Sequence, residues 1–237
     1  MDTIKTSSGR LVPINPDNDA DVSRHINDPT GCAECIITQI NSEGLYDEYL
    51  KDKSDLVILD IGANVGFFSM YAQDSARRVI SVEPTPSHQN IFEKITKSAT
   101  NIELVKAALS DTDAPITFYI SDTNSTTNCI VNEMNKYTKS VEVQGVCLNS
   151  LLEQNNIDHV DFCKIDIEGS EMKAITVDTL RPVFDKIDSI FIECHSNLPY
   201  YVREDIVKNR NTIENALKTV GYTTKVLNYD TIYAHKV

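Results

Sequence analysis

Leu59-Asp60-Ile61-Gly62-Ala63-Asn64-Val65-Gly66-Phe67-Phe68-Ser69 is the stretch that decides the fold. It starts inside the apolar run LVILDI at 56–61 and ends in a helical pattern, so a strand must turn sharply into a helix there. Gly62 and Gly66 supply backbone without Cβ, which allows unusual dihedrals and a close approach of a ligand to the main chain. The helix that follows offers free N–H donors at its amino end.

The next strand, VISV at 79–82, runs into Glu83 and Pro84. Glu83 lies 83 − 62 = 21 positions after Gly62, close to the roughly 20-residue spacing at which an acid meets a ribose diol in nucleotide-binding βαβ units. A dinucleotide fingerprint needs glycines at 64 and 67, where the chain has Asn64 and Phe67, and no Gly-Lys-Ser/Thr follows for a phosphate loop. A nucleoside without pyrophosphate fits what remains, and S-adenosylmethionine is the candidate cofactor.

Further outward, strand and helix patterns keep alternating. Strands are expected at about 56–61, 79–82, 102–106, 161–166, 188–194, 222–227 and 231–236, with helices near 65–74, 86–98, 170–179 and 204–220. The alternating runs around Asn228-Tyr229-Asp230 read as a closing antiparallel hairpin, and Gly221 as a helix stop. TFYISD at 117–122 and SVEVQGV at 140–146 read as extra strands around a polar loop at 123–127. Residues 1–55 read as an N-terminal extension with a Pro/Asn/Asp-rich start and one or two helices, ahead of a main domain at 56–237.

The 237 residues carry 22 basic and 35 acidic side chains, a net charge of −13. Such a field repels a nucleic-acid backbone, so no nucleic-acid partner is expected. The longest aliphatic run, 56–59, is far short of the roughly 18 residues that span a bilayer. No membrane association is expected, and with no secretory signal read at the start the cytosol is the expected compartment. Of the six cysteines only Cys32 and Cys35 form a CxxC pair. With His25 they suggest zinc only weakly; their spacing with Ile36 and Ile40 reads instead as a buried helix face. Cys129, Cys147, Cys163 and Cys194 read as core thiols.

LDIGANVGFFS (59–69), VEPTPSHQNIF (82–92), AALSD (107–111), LNSLL (148–152), DFCKIDIEGSEMKAI (161–175) and IFIECH (190–195) together resemble the FkbM-type family of class I S-adenosylmethionine-dependent methyltransferases. The resemblance covers about 56–195. It implies a Rossmann-like three-layer α/β sandwich around a seven-stranded, mostly parallel sheet, and methyl transfer, typically to a hydroxyl on a sugar, glycan or secondary metabolite. It also implies that Asp60, Gly62, Asn64 and Gly66 surround the methionine part of the cofactor, with Glu83 on its ribose. Ser110 and Asp111 are then near the adenine, and Asp166 faces the transferring methyl.

Ligands of open α/β sheets bind beyond the carboxyl ends of the strands, where Asp60, Glu83, Asp166 and Glu193 fall. His195, just past the fifth strand, is the leading base for a hydroxyl proton because a free imidazole is partly neutral near pH 7. Asp166 is the alternative base, and Lys164, two residues earlier on the same strand face, is a catalytic cation or a charge partner. Asp166, Glu168, Glu193 and His195 offer an alternative role as ligands of Mg²⁺ or Mn²⁺, although a metal-free site is the main expectation. Ser170 is placed to cap the next helix, with Glu171 in its first turn. The loop 123–128 and residues 1–55 are expected on the acceptor side, with Tyr200, Tyr201 and Arg203 as possible contacts. Asn124-Ser125-Thr126 matches a glycosylation sequon but reads as a chance match. Two other functions stay open: a non-catalytic cofactor-binding module, and an RNA ribose methyltransferase.

Overall fold

The computed structural model describes residues 3–15, 17–27, 33–120, 139–196 and 202–237. They belong to two compact units, one reaching Lys106 and the other starting at Ala107.

The first unit opens with a short antiparallel hairpin, β1 (Thr3–Lys5) and β2 (Leu11–Pro13). Three-residue strands show no periodicity, so the sequence reading missed them. Helices α1 (Ala20–Ile26), α2 (Ala33–Thr38) and α3 (Asp47–Leu50) follow. Then come β3 (Leu56–Ile61), α4 (Phe67–Ala72), β4 (Ala76–Val82), α5 (Pro86–Ile95) and β5 (Ile102–Val105). β3 is buried from Val57 to Ile61, as a strand covered on both faces must be. The extension is fastened to the far end of α4. Asp74 accepts hydrogen bonds from Thr6, Ser8 and Arg10, the Ser7 N–H donates to the Tyr71 carbonyl, and Ser75 Oγ donates to the Leu50 carbonyl.

The second unit holds a small sheet of β6 (Ala108–Leu109), β7 (Pro115–Ile120) and β8 (Lys139–Val146), in the order β6-β8-β7. After it come α6 (Leu148–Gln154), β9 (Phe162–Ile165), α7 (Glu171–Ala174), α8 (Val177–Leu180), β10 (Ser189–Glu193), α9 (Arg203–Val220), β11 (Thr223–Val226) and β12 (Thr231–His235). The helix expected over 170–179 is two short ones. Ile175, Thr176 and Val177 are consecutive β-branched residues, and Thr176 leaves the helix to form a reciprocal capping box with Thr179. Gly221 ends α9 in the left-handed region, as its position suggested.

The main sheet has seven strands in the order β11-β12-β10-β9-β3-β4-β5. Pairing is parallel in β3-β4-β5 and in β9-β10, and antiparallel in β10-β12-β11. This is the Rossmann-like sheet that the family resemblance implied, closed by the C-terminal hairpin read from the alternating runs around 228–230. Among the described residues no helix is long and apolar enough to cross a membrane.

Candidate active site

In the first unit, the turn after β3 is built from three left-handed residues: Gly62 (φ 79°), Asn64 (φ 52°) and Gly66 (φ 91°). Such dihedrals cost free energy for any residue with a side chain unless the surroundings enforce them. The enforcement at Asn64 comes from Glu83, whose Oε2 accepts the Asn64 N–H at 2.9 Å while its Oε1 accepts the Thr85 N–H at 2.8 Å. The amides of Gly62 and Ala63 both donate to the Val82 carbonyl. Gly66 has no room for a larger residue, since a Cβ there would lie 2.8 Å from the Phe92 ring. Asp60 is fully buried beneath the turn and accepts a 2.6 Å hydrogen bond from Ser69, which lies 2.8 Å from Ser81. His88 places Nδ1 3.3 Å from Glu83 Oε1 and is itself buried.

In the second unit, buried Ser110 leads from β6 to exposed Asp111, and its hydroxyl donates to the Asp111 carboxylate at 3.1 Å. The ends of β9 and β10 carry a denser cluster. Lys164 is buried with its ammonium 3.3 Å from Asp166 Oδ2, so it is at least a charge partner. His195 sits among four carboxylates. Its Nδ1 is 2.9 Å from Glu171 Oε1, and its Nε2 is 3.6 Å from Glu168, 3.8 Å from Asp166 and 3.9 Å from Glu193.

Burial alone would raise the Asp166 carboxyl, but Lys164 and His195 outweigh it and hold it below its ordinary value. Burial, with Asp166, Glu171 and Glu193 nearby, pushes Glu168 up to about 8. Burial and then Asp166 push Glu193 up to about 7. Burial disfavours the His195 imidazolium, yet Glu168 and Glu171 overcome it and raise the histidine well above its free value. His195 is therefore not the unperturbed imidazole that the sequence suggested.

Glu171 was the residue whose importance the sequence concealed. It is 1% exposed, and its two oxygens accept the amides of Ile167 (3.1 Å) and Gly169 (3.0 Å). That clasp holds Glu168 at φ 54°. Ser170 stands at the N-cap of α7 but makes no side-chain capping bond; Glu171 satisfies the loop amides instead.

A family model described as "Methyltransferase FkbM domain" matches residues 60–222, well over half the chain. The chain belongs to the FkbM methyltransferase family. It is a class I S-adenosylmethionine-dependent methyltransferase. A fungal relative, Methyltransferase 1 of Beauveria bassiana, is 24% identical over 183 residues, covering 66% of this chain and 72% of that protein. AMB antimetabolite synthetase AmbE of Pseudomonas aeruginosa is 36% identical over 103 residues, 38% of this chain and 5% of that much longer protein. Among solved structures, the precorrin-6y C5,15-methyltransferase of Geobacter metallireducens superposes with a TM-score of 0.53 at 14% identity, over 89% of this chain and 96% of its own. That likeness is one of fold.

Within this FkbM chain the structure brings Asp60, Gly62, Asn64, Gly66 and Glu83 together in one turn, and Lys164, Asp166, Glu168, Glu193 and His195 in one cluster. Cys163 and Cys194 are buried thiols as expected, whereas Cys147 is half-buried at the start of α6, its N–H donating to Asp113. Arg203 lies over the Tyr229 ring at 4.8 Å. The expectations for the CxxC pair, Cys129, the loop 123–128 with its sequon, and Tyr200 and Tyr201 rest on side chains outside the described residues.

Proposed function

We propose that this methyltransferase acts on a hydroxyl of a small polar acceptor, a sugar, a glycan or a hydroxylated secondary metabolite. The cluster of His195 with Asp166, Glu168 and Glu193 at the ends of β9 and β10 carries the reading. Hydroxyl groups find acceptors and a proton sink there, while a polyanion such as RNA meets carboxylates within a chain of net charge −13. No nucleic acid or membrane enters this proposal.

In this reading the glycine turn and Glu83 hold the cofactor, with Glu83 on the ribose and Ser110 and Asp111 serving the adenine. The acceptor oxygen attacks the sulfonium methyl: a C–O bond forms, the C–S bond breaks, its electron pair stays on sulfur, and the hydroxyl proton leaves past the strand-end carboxylates to solvent. Alignment of donor and acceptor supplies most of the rate. Residues 1–55 and the loop 123–128 select the acceptor; for the former, support comes from His25 of α1, whose ring stands edge-on to His88 at 5.8 Å. The unbridged thiols Cys163 and Cys194 suit work in a reducing cytosol.

Calorimetry of the full chain with S-adenosylmethionine should show one site, abolished by Gly66→Val or Glu83→Ala in folded protein. Methyl-labelled cofactor with a panel of neutral polyols should then yield a methyl ether. Absence of binding in the wild type, or label appearing on RNA or on an amine instead, would overturn the reading.

A further inference from the structure

We propose that Asp166, Glu168, Glu193 and His195 form a divalent-cation site of the Mg²⁺/Mn²⁺ type, with Glu171 as the residue that orients the histidine toward it. The proposal rests on the hydroxyl-acceptor reading above for its purpose, but its geometry stands alone.

Glu171 Oε1 and Oε2 already accept the amides of Ile167 and Gly169, so this carboxylate faces donors only. His195 Nδ1, 2.9 Å away, must bring its proton to that acceptor, which turns Nε2 toward the remaining carboxylates. Carboxylate-oriented imidazoles of this kind are the usual second layer of metal sites. Asp166 divides its oxygens in the same sense: Oδ2 is 3.3 Å from Lys164, and Oδ1 faces Nε2.

The separations around Nε2 leave room for an ion. Oxygens of three carboxylates stand at 3.6, 3.8 and 3.9 Å from it, too far for a charge-assisted hydrogen bond of about 2.7–2.9 Å. Ligands about 2.1 Å from an octahedral cation lie about 3.0 Å apart when adjacent and about 4.2 Å apart when opposite. The observed distances fall between those two values, and the ligand atoms of Asp166, Glu168 and His195 are all within 4.8 Å of one another. Oxygen-rich donors with one imidazole suit Mg²⁺ or Mn²⁺.

A second trio of the same residue types shows what a different geometry looks like. His159 Nε2 is 3.1 Å from Asp188 and 3.4 Å from Asp161, and Lys236 is 2.8 Å from Asp188. There the imidazole stands nearer its two acids, and an ammonium lies at contact distance from one of them. A cation at the first cluster would leave coordination positions for acceptor oxygens. It would let a bound hydroxyl lose its proton to solvent, so that His195 holds the metal and is not itself the base.

Titrating the full chain with Mn²⁺, followed by loss of the free-ion electron paramagnetic resonance signal, should show one ion per chain, displaced by Mg²⁺. Glu171→Gln should weaken uptake by about 10- to 100-fold. Glu168→Gly, which relieves a left-handed backbone and so should fold at least as well, should weaken it by at least about tenfold. Asp188→Asn should leave it unchanged. No uptake, uptake indifferent to Glu168→Gly and Glu171→Gln, or uptake lost in Asp188→Asn would each overturn the site. Cofactor calorimetry on the same samples separates the two claims: cofactor binding without Mn²⁺ uptake defeats only the cation, and Mn²⁺ uptake without cofactor binding defeats the methyl-transfer reading.

Discussion

The two units use one device twice. In each, a buried glutamate spends its two oxygens on two loop amides and keeps a histidine Nδ1 on Oε1: Glu83 with Asn64, Thr85 and His88, and Glu171 with Ile167, Gly169 and His195. In each, a non-glycine residue of the clasped loop, Asn64 or Glu168, is held left-handed. The difference lies beyond the histidine. His88 presents a buried Nε2 with no hydrogen-bond partner among the described residues, whereas His195 presents Nε2 to three carboxylates. The same unit thus serves as a rigid clamp on a neutral turn in one place and as an aimed ligand within a crowd of charge in the other.

Matched substitutions are the strongest way to break this parallel. Glu83→Gln and Glu171→Gln each replace one acceptor oxygen by an amide NH₂ that meets a backbone N–H, so each should lower stability by about 2–3 kcal/mol, measured by urea unfolding. Their functional readouts should separate: Glu83→Gln removes cofactor binding, and Glu171→Gln weakens Mn²⁺ uptake. A cost below about 1 kcal/mol for only one of them would mean that the two clasps are not equivalent.

How far the sequence reached follows from the same two loops. The first was legible because glycine positions and the acid 21 residues on are local signatures of a backbone path. The strand-end rule likewise brought Asp166, Glu193 and His195 to one place. Glu171 stayed hidden because its role needs a loop folded back on itself and a histidine 24 residues away. In a linear reading it is one more acid in a helix's first turn. The break at Ile175–Thr176 was missed because helical spacing of apolar residues continues through it, while the β-branched run 175–177 and the Thr176–Thr179 hydroxyl exchange stop the helix.

A third carboxylate sharpens the contrast by being held with a cation instead of amides. The Arg10 guanidinium, helped by the Ser8 and Thr6 hydroxyls, brings Asp74 down to about 2. Because the folded value is below the unfolded one, this contribution is present above about pH 4 and is lost as the pH falls toward 2. Arg10 is half exposed, so solvent screening reduces the effect. Asp74→Asn should cost roughly 1–2 kcal/mol at pH 7, with the gap to wild type closing on acidification in a thermal-denaturation series. A pH-independent gap would assign the effect to the hydroxyl bonds.

The smallest expected effect is at His88, and it tests the comparison most directly. If His88 is only a clamp, His88→Leu gives up one long contact to Glu83 (3.3 Å) while removing a buried nitrogen that makes no bond. Those terms oppose each other, so stability should move by less than about 1 kcal/mol. Glu83 then loses one of three restraints, and cofactor affinity should fall by a few-fold, about 1 kcal/mol or less. His88→Gln, which returns a donor near Oε1, should recover part of it. A loss of cofactor affinity near 100-fold in His88→Leu, about 2.7 kcal/mol, would place His88 against the cofactor itself, and both histidines, not His195 alone, would then be ligand-facing.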